Sequence, residues 1–161
     1  MSRILRAATL LGAIALGGCG GSSAPAAVDP NDPVITASID SLLTIALDGS
    51  SRADADRVLE PAAGTGELTL LVGNVTFSGI DKIREAFRAT YAGLERQDQQ
   101  IIEKRIRVLT PDVAIATVIG EGTYTDKAGW TSEPVDIGTT LVFVKENGQW
   151  RIRHGQQSIT R

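Results

Sequence analysis

The sequence predicts an α+β domain, three helices packed on a curved, mostly antiparallel sheet. Three observations carry that prediction. Apolar residues recur at helical spacing in two separate stretches, residues 34–47 and 79–94. From Gln99 onward the pattern changes to long alternating segments separated by short turn sequences. Hydrophobic residues make up 42% of the 161, enough to close the core of one domain.

The chain opens with the three parts of an export signal. Arg3 and Arg6 give a positive start, residues 7–16 are apolar and uncharged, and Leu16-Gly17-Gly18 places small residues before Cys19. The apolar run falls short of the roughly 20 residues a permanent membrane helix needs, so a cleaved signal is expected over residues 1–18. Leu-Gly-Gly-Cys is similar to the bacterial lipobox, which implies a diacylglycerol on the Cys19 thiol, cleavage before it and acylation of the new amino group. Cys19 is the only cysteine, so no intramolecular disulfide is available and lipidation would consume the sole thiol. The expected address is the cell envelope, with the membrane as partner through the lipid. Gly20 rather than Asp after the cysteine points to the outer membrane, facing the periplasm, in a Gram-negative host.

Residues 19–33 are the lipidated Cys and a Gly-, Ser-, Ala- and Pro-rich tether, leaving 34–161 as the folded domain. Asp32-Pro33 is a helix start, Asp capping free amides and Pro taking the first helical position. Ile35, Ile39, Leu42, Leu43 and Ala46 then share one face, and Gly49 is expected to stop the helix. Ser51 with Asp54 three residues on resembles a capping box for a shorter second helix ending near Glu60. Residues 61–66 read as a breaker. Residues 67–72 and 75–77 read as strands about a Gly73-Asn74 turn. A third helix is expected over 79–94, with Ile80, Ile83, Phe87 and Leu94 as its apolar stripe. Strands follow at about 99–109, 112–125, 132–145 and 149–159, the last pair joined by Asn147-Gly148, which suits a type I′ turn. Four long strands with tight turns make an antiparallel meander, which can curl around helices 1 and 3 and leave a cone-shaped cavity.

Composition excludes several function classes. Removing residues 1–18 takes the 16 basic and 19 acidic side chains to 14 against 19, a net acidic domain without the Lys/Arg cluster that nucleic acid demands. One His and no free Cys leave little for a transition-metal set; a carboxylate-only Ca²⁺ site stays open, but no EF-hand spacing appears and Asp54 and Asp56 are too isolated to read as one. Phosphate-loop, dinucleotide and nucleophile-elbow motifs are absent, so neither metal nor cofactor is expected.

The element order and three segments resemble the nuclear transport factor 2-like superfamily, in its SnoaL-like bacterial branch, over about residues 34–160. The segments are Gly79-Ile80-Asp81-Lys82-Ile83-Arg84-Glu85-Ala86-Phe87, Asn147-Gly148-Gln149-Trp150-Arg151-Ile152, and His154-Gly155-Gln156-Gln157-Ser158. Relatives often end in a Trp, an aliphatic residue and a His-x-His-x-Ser arrangement; here Gln156 takes the second His position, removing one proton-transfer group. The resemblance implies a cone-shaped fold, a cavity on the concave side of the sheet, and pairing of two copies through the sheet as a homodimer.

Regular alternation places Trp150, Ile152, His154, Gln156 and Ser158 on one face of the last strand, opposite Phe143, Leu141 and Thr139 across the hairpin. The resemblance makes that face the concave one, so His154, Gln156 and Ser158 become candidate ligand contacts. His154 is also the weak catalytic candidate, since imidazole titrates near neutral pH. A His hydrogen-bonded across the sheet is the blander alternative, favoured because spacing supplies no acidic partner. Tyr124 and Trp130 flank the turn at 126–129 as an aromatic rim, or cap the sheet. Tyr91 directs its hydroxyl into the cone or packs in the core. Isomerase-like relatives use an Asp base with a Tyr or protonated Asp donor, but Asp40 and Asp136 show no spacing that marks a base. Three roles therefore stand: binding of a small apolar or amphipathic ligand, an isomerase- or hydrolase-like enzyme using His154, and a dimerising or docking module.

Overall fold

The computed structural model describes residues 28–64 and 67–160; the expected signal, Cys19 and most of the tether lie outside them. The elements are α1 (Pro33–Ser51), α2 (Ala55–Leu59) followed by a 3-10 turn (Glu60–Ala62), β1 (Thr69–Val72), β2 (Val75–Ser78), α3 (Ile80–Tyr91), β3 (Leu94–Thr110), β4 (Val113–Asp126), β5 (Val135–Glu146) and β6 (Gln149–Thr160). The six strands form one sheet in the order β2-β1-β6-β5-β4-β3. All neighbours are antiparallel except β1 and β6.

Local chemistry accounts for most boundaries. Asp32 caps α1 through Oδ1, which accepts from the amides of Val34 and Ile35 at 2.9 and 3.0 Å, with Pro33 at the first position. Just before it, the Val108 amide donates to the Pro30 carbonyl at 3.0 Å, tying the chain's entry to β3. Asn147 and Gly148 both take positive φ, 50° and 80°, as a type I′ turn between paired Glu146 and Gln149 requires. At the β4–β5 connection, Asp126 Oδ1 accepts from the amides of Ala128 and Trp130, both at 2.9 Å.

Four expectations are corrected. Gly49 does not stop α1: it lies inside the helix and is buried. The stop comes four residues later, where Ala53 takes φ 51° and its amide donates to the Ser50 carbonyl, while the Asp54 amide donates to Gly49. Ser51 is the last residue of α1 and its hydroxyl donates to Asp48; the cap of α2 is Asp54 itself, accepting from the amides of Asp56 and Arg57. Leu94 belongs to β3 rather than α3, and β3 begins five residues before the expected Gln99. Part of the 61–66 breaker is a buried turn: Pro61 and Ala62 are packed into the core.

The core divides the space under the sheet. Ile39, Ile83, Phe143, Trp150 and Ile152 pack together with Leu59 and Leu68 beneath the N-terminal half of α1. Towards the C-terminal ends of α1 and α3 the packing opens, because the inward positions there include Ala46, Ala86, Gly120 and Gly155. Bulges in β3, between Leu94 and Arg96, Ile101 and Glu103, and Val108 and Thr110, bend that long edge strand around the helices. Arg84 and Arg88 of α3 both pair with Asp56 of α2, and the Arg88 hydrogen bond above all holds the Asp56 carboxyl below its ordinary range. Among the described residues no helix packs on the outer face of the sheet, where Ile102 and Ile119 are 62% and 44% exposed.

Candidate functional site

Between the sheet and the C-terminal halves of α1 and α3 lies a cavity of about 380 Å³. Leu43, Ala46 and Leu47 of α1, Ile83 and Phe87 of α3, Leu70 and Phe77 of the first hairpin and Val118, Leu141 and Ile152 of the meander make its walls. Both its volume and its apolar walls fall within the usual character of small-molecule pockets.

Polar groups gather where the ends of α1 and α3 meet the start of β3. Tyr91, Ser50, Gln97 and Gln99 all line the cavity there. Gln97 Nε2 donates to the Ser50 carbonyl and Gln99 Nε2 to the Ser50 hydroxyl, each at 3.0 Å. Tyr91 is buried against Phe87, ring centroids 5.5 Å apart. Burial raises its pKa above the ordinary tyrosine value, and hydrogen bonding with the Ser50 and Gln97 side chains opposes that rise without cancelling it. The hydroxyl therefore keeps its proton at neutral pH. Besides Tyr91, the lining holds one ionisable side chain among the described residues, the exposed Glu121.

The other sequence candidates lie elsewhere. Ile152 pairs with Phe143 and His154 with Val142, so Arg153 is an extra residue that interrupts the alternation. Beyond this bulge the inward positions are Gly155, Gln157 and Ile159, all in the cavity wall, whereas His154, Gln156 and Ser158 are exposed and absent from it. The expectation that these three share the face of Trp150 and Ile152 is thus corrected by one inserted residue. His154 Nδ1 hydrogen-bonds to the Thr69 hydroxyl at 2.7 Å, across the sheet to the parallel neighbour β1. Ser158 Oγ donates to the Gly138 carbonyl at 3.4 Å. Tyr124 is half-buried and meets Trp130 edge-on at 5.7 Å beyond the cavity wall. Asp40 pairs with Lys104, and Asp136 sits at the exposed end of β5; neither lines the cavity.

Sequence reasoning thus reached Tyr91 and missed Ser50, Gln97, Gln99 and Gln157. Gln97 and Gln99 stand two apart on one strand face, a signal hidden by the late start assigned to that strand. Gln157 reaches the cavity only because of the bulge at Arg153. Among the described residues no group of His, Cys, Asp or Glu is arranged to hold a metal ion, and no helix is long and apolar enough to cross a membrane.

The family model of the SnoaL-like domain matches residues 39–161. No curated protein sequence matches the chain. Among solved structures, a nuclear transport factor 2-like superfamily protein from Salmonella enterica superposes with a TM-score of 0.69 at 18% identity, covering 80% of this chain and 92% of its own. An uncharacterized protein with a cystatin-like fold from Caulobacter vibrioides gives 0.67 at 22% identity, covering 78% and 89%. A ketosteroid isomerase-like protein from Erwinia carotovora atroseptica gives 0.64 at 23%, covering 76% and 94%. These likenesses establish a shared fold.

Proposed function

The chain belongs to the SnoaL-like domain family, and on that premise we propose that it is an envelope lipoprotein whose domain binds a small apolar or amphipathic molecule in its cone. One observation carries the binding role: a cavity of about 380 Å³ persists beneath the sheet, walled by aliphatic and aromatic side chains. Leaving apolar walls unpacked forfeits stability, roughly 24 cal/mol for each Å³ of void in measured cases. A fold that keeps such a space gains when a ligand fills it.

The enzyme reading finds less support. Its proposed acid–base group, His154, lies outside the cavity wall with Thr69 as its hydrogen-bond partner. Neither Asp40 nor Asp136 lines the cavity as a substitute base. A binding role uses the groups that are present.

Native mass spectrometry of the protein purified from its own envelope is expected to show an adduct of constant mass. Ala46→Trp, which pushes an indole from α1 into the cavity, should remove the adduct while leaving the circular dichroism spectrum intact. A bare protein from the native envelope, or an adduct indifferent to Ala46→Trp, would sink the cavity as the binding site.

The anchor rests on the order of charge, apolar run, small residues and Cys19. Several acyl chains, each methylene contributing about 0.8 kcal/mol on burial, make such anchoring stable. Cys19→Ala is expected to leave the precursor unprocessed by the lipoprotein pathway and to abolish metabolic labelling with palmitate. A Cys19→Ala protein that is still labelled and processed at the same bond would exclude the anchor.

A further inference from the structure

Resting on the binding reading above, we propose that the ligand is uncharged: a hydrocarbon body ending in a single alcohol or ketone group, seated with that group against Ser50, Tyr91, Gln97 and Gln99. The cavity's charge inventory points this way. Among the described residues its lining contains no Arg, Lys or His, and the one carboxylate there, Glu121, is exposed. A carboxylate or phosphate ligand would surrender its water without meeting a cation, and Glu121 would repel it. A cationic ligand has only that solvated carboxylate for a partner. Moving an unpaired charge into such surroundings is costly, whereas a neutral hydroxyl or carbonyl needs only hydrogen bonds to offset its desolvation.

The polar end of the cavity supplies those bonds. The amides of Gln97 and Gln99 are fixed by their donations to the Ser50 carbonyl and hydroxyl, each at 3.0 Å. Gln99 Nε2 also donates to Gln97 Oε1 at 3.5 Å, so the capacity these bonds leave for a guest is one N–H of Gln97 and acceptor sites on both amide oxygens. Tyr91, 8% exposed, adds a hydroxyl on the same wall. A group that only accepts, such as a ketone, and one that also donates, such as an alcohol, can both be satisfied here. On the sheet wall Leu70, Val118, Leu141 and Ile152 offer nothing polar from their side chains, which suits the hydrocarbon end; Thr139 and its strand partner Gln157 are the polar pair of that wall.

The test uses the full chain carrying Cys19→Ala, so that no acyl group competes, and the uncharged dye N-phenyl-naphthylamine as reporter. Decanol, decanone, decanoate and decylammonium are compared as displacers. Decanol and decanone should compete at least about tenfold better than either ion. Gln97→Leu and Gln99→Leu should each weaken decanol about tenfold while leaving dye affinity within about twofold, since the dye presents no terminal hydroxyl. Tyr91→Phe, the loss of one hydroxyl, carries the same comparison wherever a leucine variant disturbs folding. Decanoate or decylammonium competing as well as decanol, or decanol affinity unmoved in all three variants, overturns the ligand class and leaves binding itself standing. A dye that never binds, with decanol equally silent in calorimetry, removes the binding reading and this one with it.

Discussion

Phe143→Ala is expected to lower the unfolding free energy by about 3–5 kcal/mol, read as a shift of the urea midpoint at unchanged slope. Phe143 is 0% exposed and sits in the middle of β5, opposite Ala114 on one side and Ile152 on the other. Small partners at Ala114 and Ala116 leave its ring as the filler of that layer, and Ile39 and Ile83, also 0% exposed, belong to the same packed cluster. Truncation removes the transfer energy of the ring and leaves a void that the long, hydrogen-bonded strands cannot collapse. Domain stabilities are typically about 5–15 kcal/mol, so the variant loses a large share of the total. The exposed Ile119→Ala is the control. A Phe143→Ala midpoint no lower than that of Ile119→Ala would show that the core is not organised around this ring.

The second large effect has a sign that local sequence rules get backwards. Replacing a glycine in mid-helix by alanine ordinarily stabilises by about 0.5–1 kcal/mol. Gly49→Ala should instead destabilise by about 2 kcal/mol or more, because a Cβ there would overlap the Val58 amide nitrogen and stand 2.7 Å from the Arg57 carbonyl carbon. Both are backbone atoms of α2, so relief requires the two helices to move apart. Four residues on, the opposite substitution should help. Ala53 holds φ 51° at the end of α1, a conformation that costs an L-residue and suits glycine, so Ala53→Gly is expected to gain about 0.5–1 kcal/mol. The pair is a crossed test by thermal unfolding: the first substitution lowers the midpoint and the second raises it. Gly49→Ala melting above the unsubstituted protein would mean that α1 and α2 do not meet as described.

A close contact between helices also explains why the sequence misleads at this point. Gly49 reads as a stop because glycine commonly ends helices, and nothing within four residues of it reveals Arg57 and Val58 lying across it. The true stop is an alanine, a residue type that carries no such signal. The opposite holds at Asp32-Pro33, at Asp54 and at Asn147-Gly148, where each side chain or positive φ acts on its immediate neighbours. Those caps and turns were legible in the sequence, though Asp54 first appeared as the far end of a capping box.

The site divides along the same line. By itself the sequence determined the α+β class, the three helices, the four-stranded meander and the hairpin before α3, because apolar period and turn chemistry act over a few residues. It also determined that a domain with one His and no Cys has few groups for metal or nucleophilic chemistry. The tertiary structure alone decided which side of β6 faces the cavity. A strand's faces are fixed by strict alternation only while each residue has one partner, and a single unpaired residue reverses every position after it. Arg153 is that residue, recognisable only from the pairing of Ile152 with Phe143 and His154 with Val142. It turns His154, Gln156 and Ser158 outward and brings Gly155, Gln157 and Ile159 in, while the inward faces of α1, α3 and β3 bring Ser50, Tyr91, Gln97 and Gln99 together from positions far apart in the chain.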